Sequence, residues 1–340
     1  PAWAWLTEHG VQMHPHHRVI EVQRLRRRLG LGSRVSVIAV FYALAVGVAP
    51  AAAQWASDQW LETPVNDETF ANYLGFFTFD AERPLQAEVL QTEQVEGIHV
   101  ERIRFESTPG VQVFATYFRA EGPVQEGRPH VILLHGGGKA GKDMMRPFAE
   151  SLVRRGMNAL AIDLLYFGDR DTGLLTTFSP EDKAQNLYNR PSVYLDWVVQ
   201  TVKDVGRSID LLVDYYDASP DRIAFHGFSR GAEVGFIVAG VEERFRAVSL
   251  VYGGHFDRLE TGHLPAACPA NYAGRIAPRP LRVLNGTFDS DYDRALSVEP
   301  LHRLLGDPKE VHWADTGHQL PLPEDQRALS DWLSRQLLGG

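Results

Sequence analysis

Short apolar runs alternate along the chain with longer stretches whose apolar residues recur at helical spacing. Residues 99–105 and 111–118 alternate in polarity around a Thr-Pro-Gly turn, and they predict an antiparallel hairpin. Six later runs predict strands at residues 131–134, 159–162, 223–226, 247–252, 281–285 and 310–313, and those at 131–134 and 223–226 are expected to be buried. Because these strands alternate with helices, we expect an α/β fold with a mostly parallel, eight-stranded sheet flanked by helices.

The residues before the hairpin predict two further parts of the chain. Residues 54–97 lack clean strand alternation, but Phe70, Tyr73 and Phe77 lie at helical spacing. This segment is therefore expected to be helical and to pack on the main domain at residues 98–340. Residues 1–53 are expected to form an N-terminal extension with a signal peptide.

The signal-peptide prediction depends on the order of three features. A basic segment at residues 24–28 precedes a 14-residue apolar run at residues 35–48 and an Ala-x-Ala site at residues 51–53. A secretory signal peptide has this order. The alternative is a membrane anchor, but an apolar run of 14 residues is shorter than the roughly 20 residues that a transmembrane helix needs. We predict cleavage near Ala53 and a periplasmic or secreted enzyme without a stable membrane anchor.

Composition narrows the class of partner. Residues 1–53 carry six of the 34 basic and two of the 43 acidic residues, so the mature chain has a net charge of about −13. Such a charge argues against nucleic acid and anionic membranes as partners. The single cysteine, Cys268, excludes an intramolecular disulfide. The sequence leaves the oligomeric state unknown.

A candidate nucleophile lies between a predicted strand and a predicted helix. Gly227-Phe228-Ser229-Arg230-Gly231 has the G-x-S-x-G pattern of a nucleophile elbow, which presents Ser229 on a sharp, strained turn. Glycines on both sides are expected because side chains there would collide with neighbouring backbone. The alternative interpretation is a glycine-rich turn with a capping serine.

Three other loops carry matching groups. His135-Gly136-Gly137-Gly138 follows a buried strand, Asp289 follows the strand at 281–285, and His318 lies in the loop after the last strand. The first loop resembles the oxyanion-hole loop of lipases and esterases. The chain order Ser229, Asp289, His318 is that of the α/β-hydrolases.

From about residue 100 onward the chain resembles the α/β-hydrolase superfamily, in particular its dienelactone-hydrolase and acetylxylan-esterase-like branch. Residues 131–138, 161–170 and 220–231 and the acid and histidine loops carry the resemblance. It implies an α/β-hydrolase fold without a large lid domain. Because dienelactone hydrolases use cysteine where this chain has Ser229, the resemblance implies serine-esterase chemistry.

The chemistry gives each residue a role. Ser229 needs a base within hydrogen-bond reach, which His318 supplies, while Asp289 orients the imidazole. Asp291, Asp293 and Asp315 are rivals for the acid. Backbone N–H groups of Arg230 and of Gly137 or Gly138 are expected to form the oxyanion hole.

Two other interpretations remain open: a prolyl-oligopeptidase-like peptidase and a hydrolase-fold protein that binds without catalysis. The sequence carries no phosphate-binding loop, dinucleotide fingerprint or zinc pattern, so we expect neither a cofactor nor a metal, and a small-molecule ester as partner. Two long segments, 171–190 and 255–280, are expected to border an open pocket. Its expected lining includes Tyr166, Tyr188, Trp197, Phe228 and His255.

Overall fold

The computed structural model describes residues 63–123, 127–255 and 264–339. Within these residues nine strands form one sheet, in the spatial order β1-β2-β3-β5-β4-β6-β7-β8-β9. The strands are β1 Glu88–Val95, β2 Ile98–Thr108, β3 Val111–Ala120, β4 His130–Leu134, β5 Asn158–Ile162, β6 Ile223–Phe228, β7 Ala247–Val251, β8 Leu281–Gly286 and β9 Lys309–Ala314. The predicted signal peptide and its cleavage site lie outside the described residues.

The sheet is mixed, and β6, β8 and β9, which precede Ser229, Asp289 and His318, belong to its parallel part. Pairing is antiparallel from β1 to β3 and between β3 and β5, and parallel from β5 through β4, β6, β7 and β8 to β9. Every residue of β4, β5, β6 and β7 is buried. These strands are covered on both faces, which explains their continuous apolar sequences.

Helices cover both faces of the sheet. Those of the described residues are α1 Asp67–Leu74, α2 Arg146–Val153, α3 Pro180–Lys183, α4 Pro191–Tyr216, α5 Arg230–Val241, α6 Ala270–Ala273, α7 Glu299–Arg303 and α8 Pro323–Leu338. One hydrophobic core lies between the sheet and α4 and α5, and a second lies between the opposite face and α2 and α8. Among the described residues, no helix has the length and apolarity needed to cross a membrane.

The strand β1 is the main difference from the predicted architecture. It makes the sheet nine-stranded, and it lies within residues 54–97, which were expected to be helical. The same segment contains α1, and its Phe70 and Tyr73 pack on the core. β1 is an edge strand whose residues are mostly exposed. Edge strands need no apolar alternation, so its polar sequence carried no strand signal.

Candidate active site

Ser229 lies at a sharp turn between β6 and α5. Its backbone has φ 53° and ψ −119°, in the strained left-handed region. A Cβ on Gly227 would lie 2.3 Å from the carbonyl oxygen of Gly231, and a Cβ on Gly231 would lie 2.3 Å from that of Leu134. The steric reason predicted for both glycines is therefore present, and the turn can be this tight only with glycine on both sides of Ser229.

The structure brings Ser229, His318 and Asp289 into one hydrogen-bonded chain. Ser229 Oγ lies 2.8 Å from His318 Nε2, and His318 Nδ1 lies 2.8 Å from Asp289 Oδ2. The Asp289 side chain is wholly buried, and its Oδ1 accepts the backbone N–H groups of Asp291 and Tyr292 at 2.8 and 2.9 Å. A carboxylate held in this way favours the His318 tautomer with its proton on Nδ1, which leaves Nε2 free to accept the serine proton.

The rival carboxylates lie elsewhere. Asp291 Oδ2 is 3.7 Å from His318 Nε2 and its side chain is 56% exposed. Asp293 accepts the N–H groups of Ala295 and Leu296 at the start of the next helical turn. Asp315 has no hydrogen bond to the imidazole among the described contacts. Asp289 is therefore the carboxylate on Nδ1.

The acid loop and the histidine loop are fixed to each other by backbone contacts. Thr287 N–H donates to Ala314, and Phe288 N–H donates to Thr316, at 2.8 and 3.0 Å. Gly286 permits this approach, because a Cβ there would lie 2.6 Å from the carbonyl oxygen of Thr316. Two loops that follow neighbouring parallel strands thus hold Asp289 and His318 in register.

The glycine loop after β4 reaches the elbow. A Cβ on Gly136 would lie 2.9 Å from both the Phe228 ring and Ser229 Cβ, so only glycine fits at this contact. A Cβ on Gly137 would meet nothing within 4 Å, and Gly138 has φ 134°. A Cβ on Gly137 would therefore project into open space. Arg230 is the first residue of α5, where backbone N–H groups point out of the helix end.

His135 holds this loop in place through hydrogen bonds at both of its ring nitrogens. Its Nδ1 is 2.6 Å from the carbonyl oxygen of Gly136, and its Nε2 accepts the N–H of Leu164 at 3.0 Å. Burial lowers the pKa of His135, so the ring is neutral and donates from Nδ1. These two contacts tie the glycine loop to the segment that follows β5.

A small cavity lies beside the elbow. Its volume is about 40 Å³, and it is lined by His226, Gln326 and apolar residues that include Met144, Phe148, Phe228, Leu320 and Leu329. Phe228 also stacks on His318, with ring centroids 6.2 Å apart. Burial lowers the pKa of His226 to about 3, so this wall of the cavity is uncharged. Of the aromatic residues expected at the pocket, Phe228 alone lines this cavity.

The other expected lining residues are mostly part of the core. Trp197 is 2% exposed and its Nε1 donates to the carbonyl oxygen of Leu165. Tyr188 is buried and its hydroxyl accepts from Arg230. His255 is buried, whereas Tyr166 is half-buried. Trp197 and Tyr188 thus satisfy their polar atoms inside the protein, and neither lines the cavity beside Phe228.

The sequence did not single out Glu233, which is buried and whose N–H donates to the carbonyl oxygen of Ser229. It is the only charged residue in residues 231–241, and this isolation in an apolar helix was the available signal. Its carboxylate contacts Arg230, Tyr194 and Tyr292. Within the described residues, no group of three or more His, Cys, Asp or Glu side chains has the arrangement of a metal site.

Comparison with known proteins shows the fold. Acetyl xylan esterase 1 from Thermoanaerobacterium sp. JW/SL YS485 is 16% identical with a TM-score of 0.60, covering 82% of this chain and 98% of that one. Acetyl xylan esterase from Paenibacillus sp. R4 is 19% identical with a TM-score of 0.56, covering 81% and 98%. The α/β hydrolase GrgF from Penicillium sp. sh18 is 14% identical with a TM-score of 0.51, covering 70% and 99%.

No protein-family model matches the sequence, and neither does any curated protein. At these identities the structural likeness concerns the backbone architecture. The chain has the α/β-hydrolase fold, as its motifs predicted.

Proposed function

We propose that this chain, with its α/β-hydrolase fold, is a serine carboxylesterase that cleaves short-chain acyl esters through an acyl-enzyme intermediate. The observation that carries the proposal is the chain of two 2.8 Å hydrogen bonds from Ser229 through His318 to buried Asp289. This arrangement supplies a nucleophile, a base and an orienting carboxylate in one place. Fold likeness alone would not distinguish an esterase from other hydrolases.

In the first half-reaction, Ser229 Oγ forms a bond to the ester carbonyl carbon while its proton passes to His318 Nε2. The negative charge that develops on the carbonyl oxygen faces the N–H of Arg230 and that of Gly137 or Gly138. The tetrahedral species then collapses, the carbon–alkoxide bond breaks, and the alcohol leaves with the proton from Nε2. The acyl group remains on Ser229.

In the second half-reaction, water attacks the acyl carbon and gives its proton to His318 Nε2. Collapse of the second tetrahedral species returns this proton to Ser229 Oγ and releases the carboxylic acid. Asp289 stabilises the protonated imidazole in both steps.

The size of the cavity beside Phe228 is an argument for a short acyl chain in the substrate. A cavity of about 150 Å³ holds benzene, which corresponds to about 25 Å³ per carbon atom. The cavity here is about 40 Å³, so it has room for one or two carbon atoms. Acetyl and propionyl groups match this size. Two of the structural neighbours are named acetyl xylan esterases, which agrees with a short acyl group.

Labelling and substitution together test the proposal. A fluorophosphonate should modify Ser229, and mass spectrometry should find the adduct on the peptide that contains it. Ser229→Ala should abolish labelling and lower kcat for p-nitrophenyl acetate by at least about 10⁴-fold, with an unchanged melting temperature. A proline-containing peptide amide serves as the competing substrate. Faster cleavage of the amide than of the ester would favour the peptidase interpretation, and an adduct elsewhere would reject Ser229.

We also propose that the mature protein is exported. The support is the basic segment, apolar run and Ala-x-Ala site of residues 24–53. N-terminal sequencing of the protein recovered from outside the cytoplasm should begin close to Gln54. An intact leader on the recovered protein would contradict the proposal.

A further inference from the structure

Glu233 lies one helical turn after the nucleophile and is buried. Its backbone N–H donates to the carbonyl oxygen of Ser229 at 2.9 Å, and the residue is 2% exposed. It belongs to neither the Ser229–His318–Asp289 chain nor the glycine loop. A charged group held away from water at this position requires an explanation beyond packing.

The carboxylate of Glu233 is bound on both oxygens. Arg230 Nη1 donates to Oε1 at 2.9 Å and lies 2.9 Å from Oε2, so a cation balances the buried charge. The hydroxyl of Tyr194, from α4, donates to Oε1 at 3.2 Å. The hydroxyl of Tyr292, from the acid loop, donates to Oε2 at 2.7 Å. One carboxylate therefore joins a core helix and the acid loop to α5.

Tyr292 makes the second half of this link. Its backbone N–H donates to Asp289 Oδ1 at 2.9 Å, and its ring centroid lies 5.6 Å from that of His318. Ser229, His318, Asp289, Tyr292 and Glu233 therefore form a closed ring of contacts, in which each residue contacts the next. The N–H of Glu233, which donates to the Ser229 carbonyl oxygen, closes the ring. The loop that carries Asp289 is tied to the helix that carries the nucleophile.

We propose that Glu233 is a positioning residue that acts through Tyr292 to hold Asp289 at its working distance from His318. The inference rests on the proposed function of this site. Asp289 comes from a loop, and a loop is held only by its contacts. The bond between Tyr292 and Glu233 is buried at both ends, so water does not compete for it.

Two tyrosine substitutions on the same carboxylate test the proposal. Tyr292→Phe and Tyr194→Phe each remove one buried hydroxyl that donates to Glu233, but only Tyr292 belongs to the acid loop. Tyr292→Phe should lower kcat for p-nitrophenyl acetate about tenfold and leave KM within about twofold, because displacement of a catalytic group impairs the reacting geometry more than binding. Tyr194→Phe should keep at least half of the wild-type kcat.

A spectroscopic measurement separates positioning from general loosening. The proton between His318 Nδ1 and Asp289 gives a far-downfield proton NMR resonance, which should shift or broaden in Tyr292→Phe and remain in place in Tyr194→Phe. Melting temperatures of the two variants report whether both are folded. Equal losses of kcat in both variants, or an unchanged resonance in Tyr292→Phe, would overturn the proposal.

Failure of the proposed function is visible separately. If wild-type protein neither hydrolyses the ester nor reacts with a fluorophosphonate, then the esterase proposal fails. The NMR comparison of the two variants still decides whether Glu233 holds Asp289 through Tyr292.

Discussion

The Oδ2 atom of Asp289 lies 2.8 Å from Nδ1 of His318, inside the protein and shielded from solvent. Asp291, two residues further on, instead approaches Nε2 of the same ring at 3.7 Å from an exposed position. Because the hydrogen-bond distance and the burial both belong to Asp289, the two carboxylates should differ greatly in their effect on catalysis.

Replacing each carboxylate by its amide measures that difference. Asp289→Asn should lower kcat by about 10³- to 10⁴-fold, since an amide facing Nδ1 favours the tautomer whose Nε2 carries a proton and cannot accept another. Asp291→Asn is the matched control and should change kcat less than about threefold, because an exposed charge is screened by solvent. Steady-state kinetics with p-nitrophenyl acetate gives both values, and the reverse order would assign the acid to Asp291.

Gly231→Ala should destabilise the protein through a backbone clash. The new Cβ would lie 2.3 Å from the Leu134 carbonyl oxygen, and neither main-chain segment can move without shifting β4 or α5. We expect a loss of about 3 kcal/mol in the free energy of unfolding. Gly75→Ala is the control, because a Cβ there meets nothing within 4 Å and φ is −58°. Denaturant titrations compare the two variants, and equal stabilities would mean that the elbow can relax.

Met144→Ala should shift the preferred ester from acetate or propionate towards butyrate. Met144 lines the cavity of about 40 Å³, and its truncation makes room for about two or three more carbon atoms. Leu320→Ala, on the same cavity, should act in the same direction. Leu338→Ala is the control for Leu320→Ala, since this exposed leucine is not among the cavity residues. A series of p-nitrophenyl esters gives kcat/KM for each chain length, and an unmoved optimum would exclude the cavity as the acyl site.

His302 should make the protein less stable in acid. Burial lowers its pKa to about 4, whereas an unfolded histidine titrates near 6.5, so the unfolded chain binds a proton first as the pH falls. The free energy of unfolding must therefore decline between about pH 6.5 and pH 4. In His302→Phe, the decline from pH 7 to 4.5 should be smaller by about 2 kcal/mol. Urea titrations at the two pH values measure it, and equal declines in the variant and the wild type would contradict the assignment.

Local sequence signals predicted most of the sheet and the three residues of the hydrogen-bonded chain. The glycines that flank Ser229 indicate a sharp turn, because such a turn requires glycine there in any fold. Asp289 follows β8 and His318 follows β9, and parallel strands bring their carboxyl ends to one edge of the sheet. Eight of the nine strands were predictable, the first two from their alternating polarity and most of the others from short apolar runs.

Features that depend on distant neighbours were not predictable in this way. β1 is held by pairing with β2, so its polar sequence says little about its conformation. The burial of Trp197 was not predictable either, because its sequence position does not reveal that its indole N–H donates to Leu165. The role of Glu233 was not predictable because Tyr194 precedes it in the sequence and Tyr292 follows it, and only the fold brings both hydroxyls to its carboxylate.

In the proposed mechanism the three side chains come from distant parts of the chain, so ester cleavage would report whether the chain has folded. Ser229 and His318 are 89 residues apart, and His318 and Asp289 are 29 apart, yet their hydrogen bonds require β6, β8 and β9 in their final places. A chain released from the ribosome before β9 carries the serine without its base. Partly assembled molecules should therefore be inert towards esters inside the cell, and ester cleavage should appear only when the last strand joins the sheet.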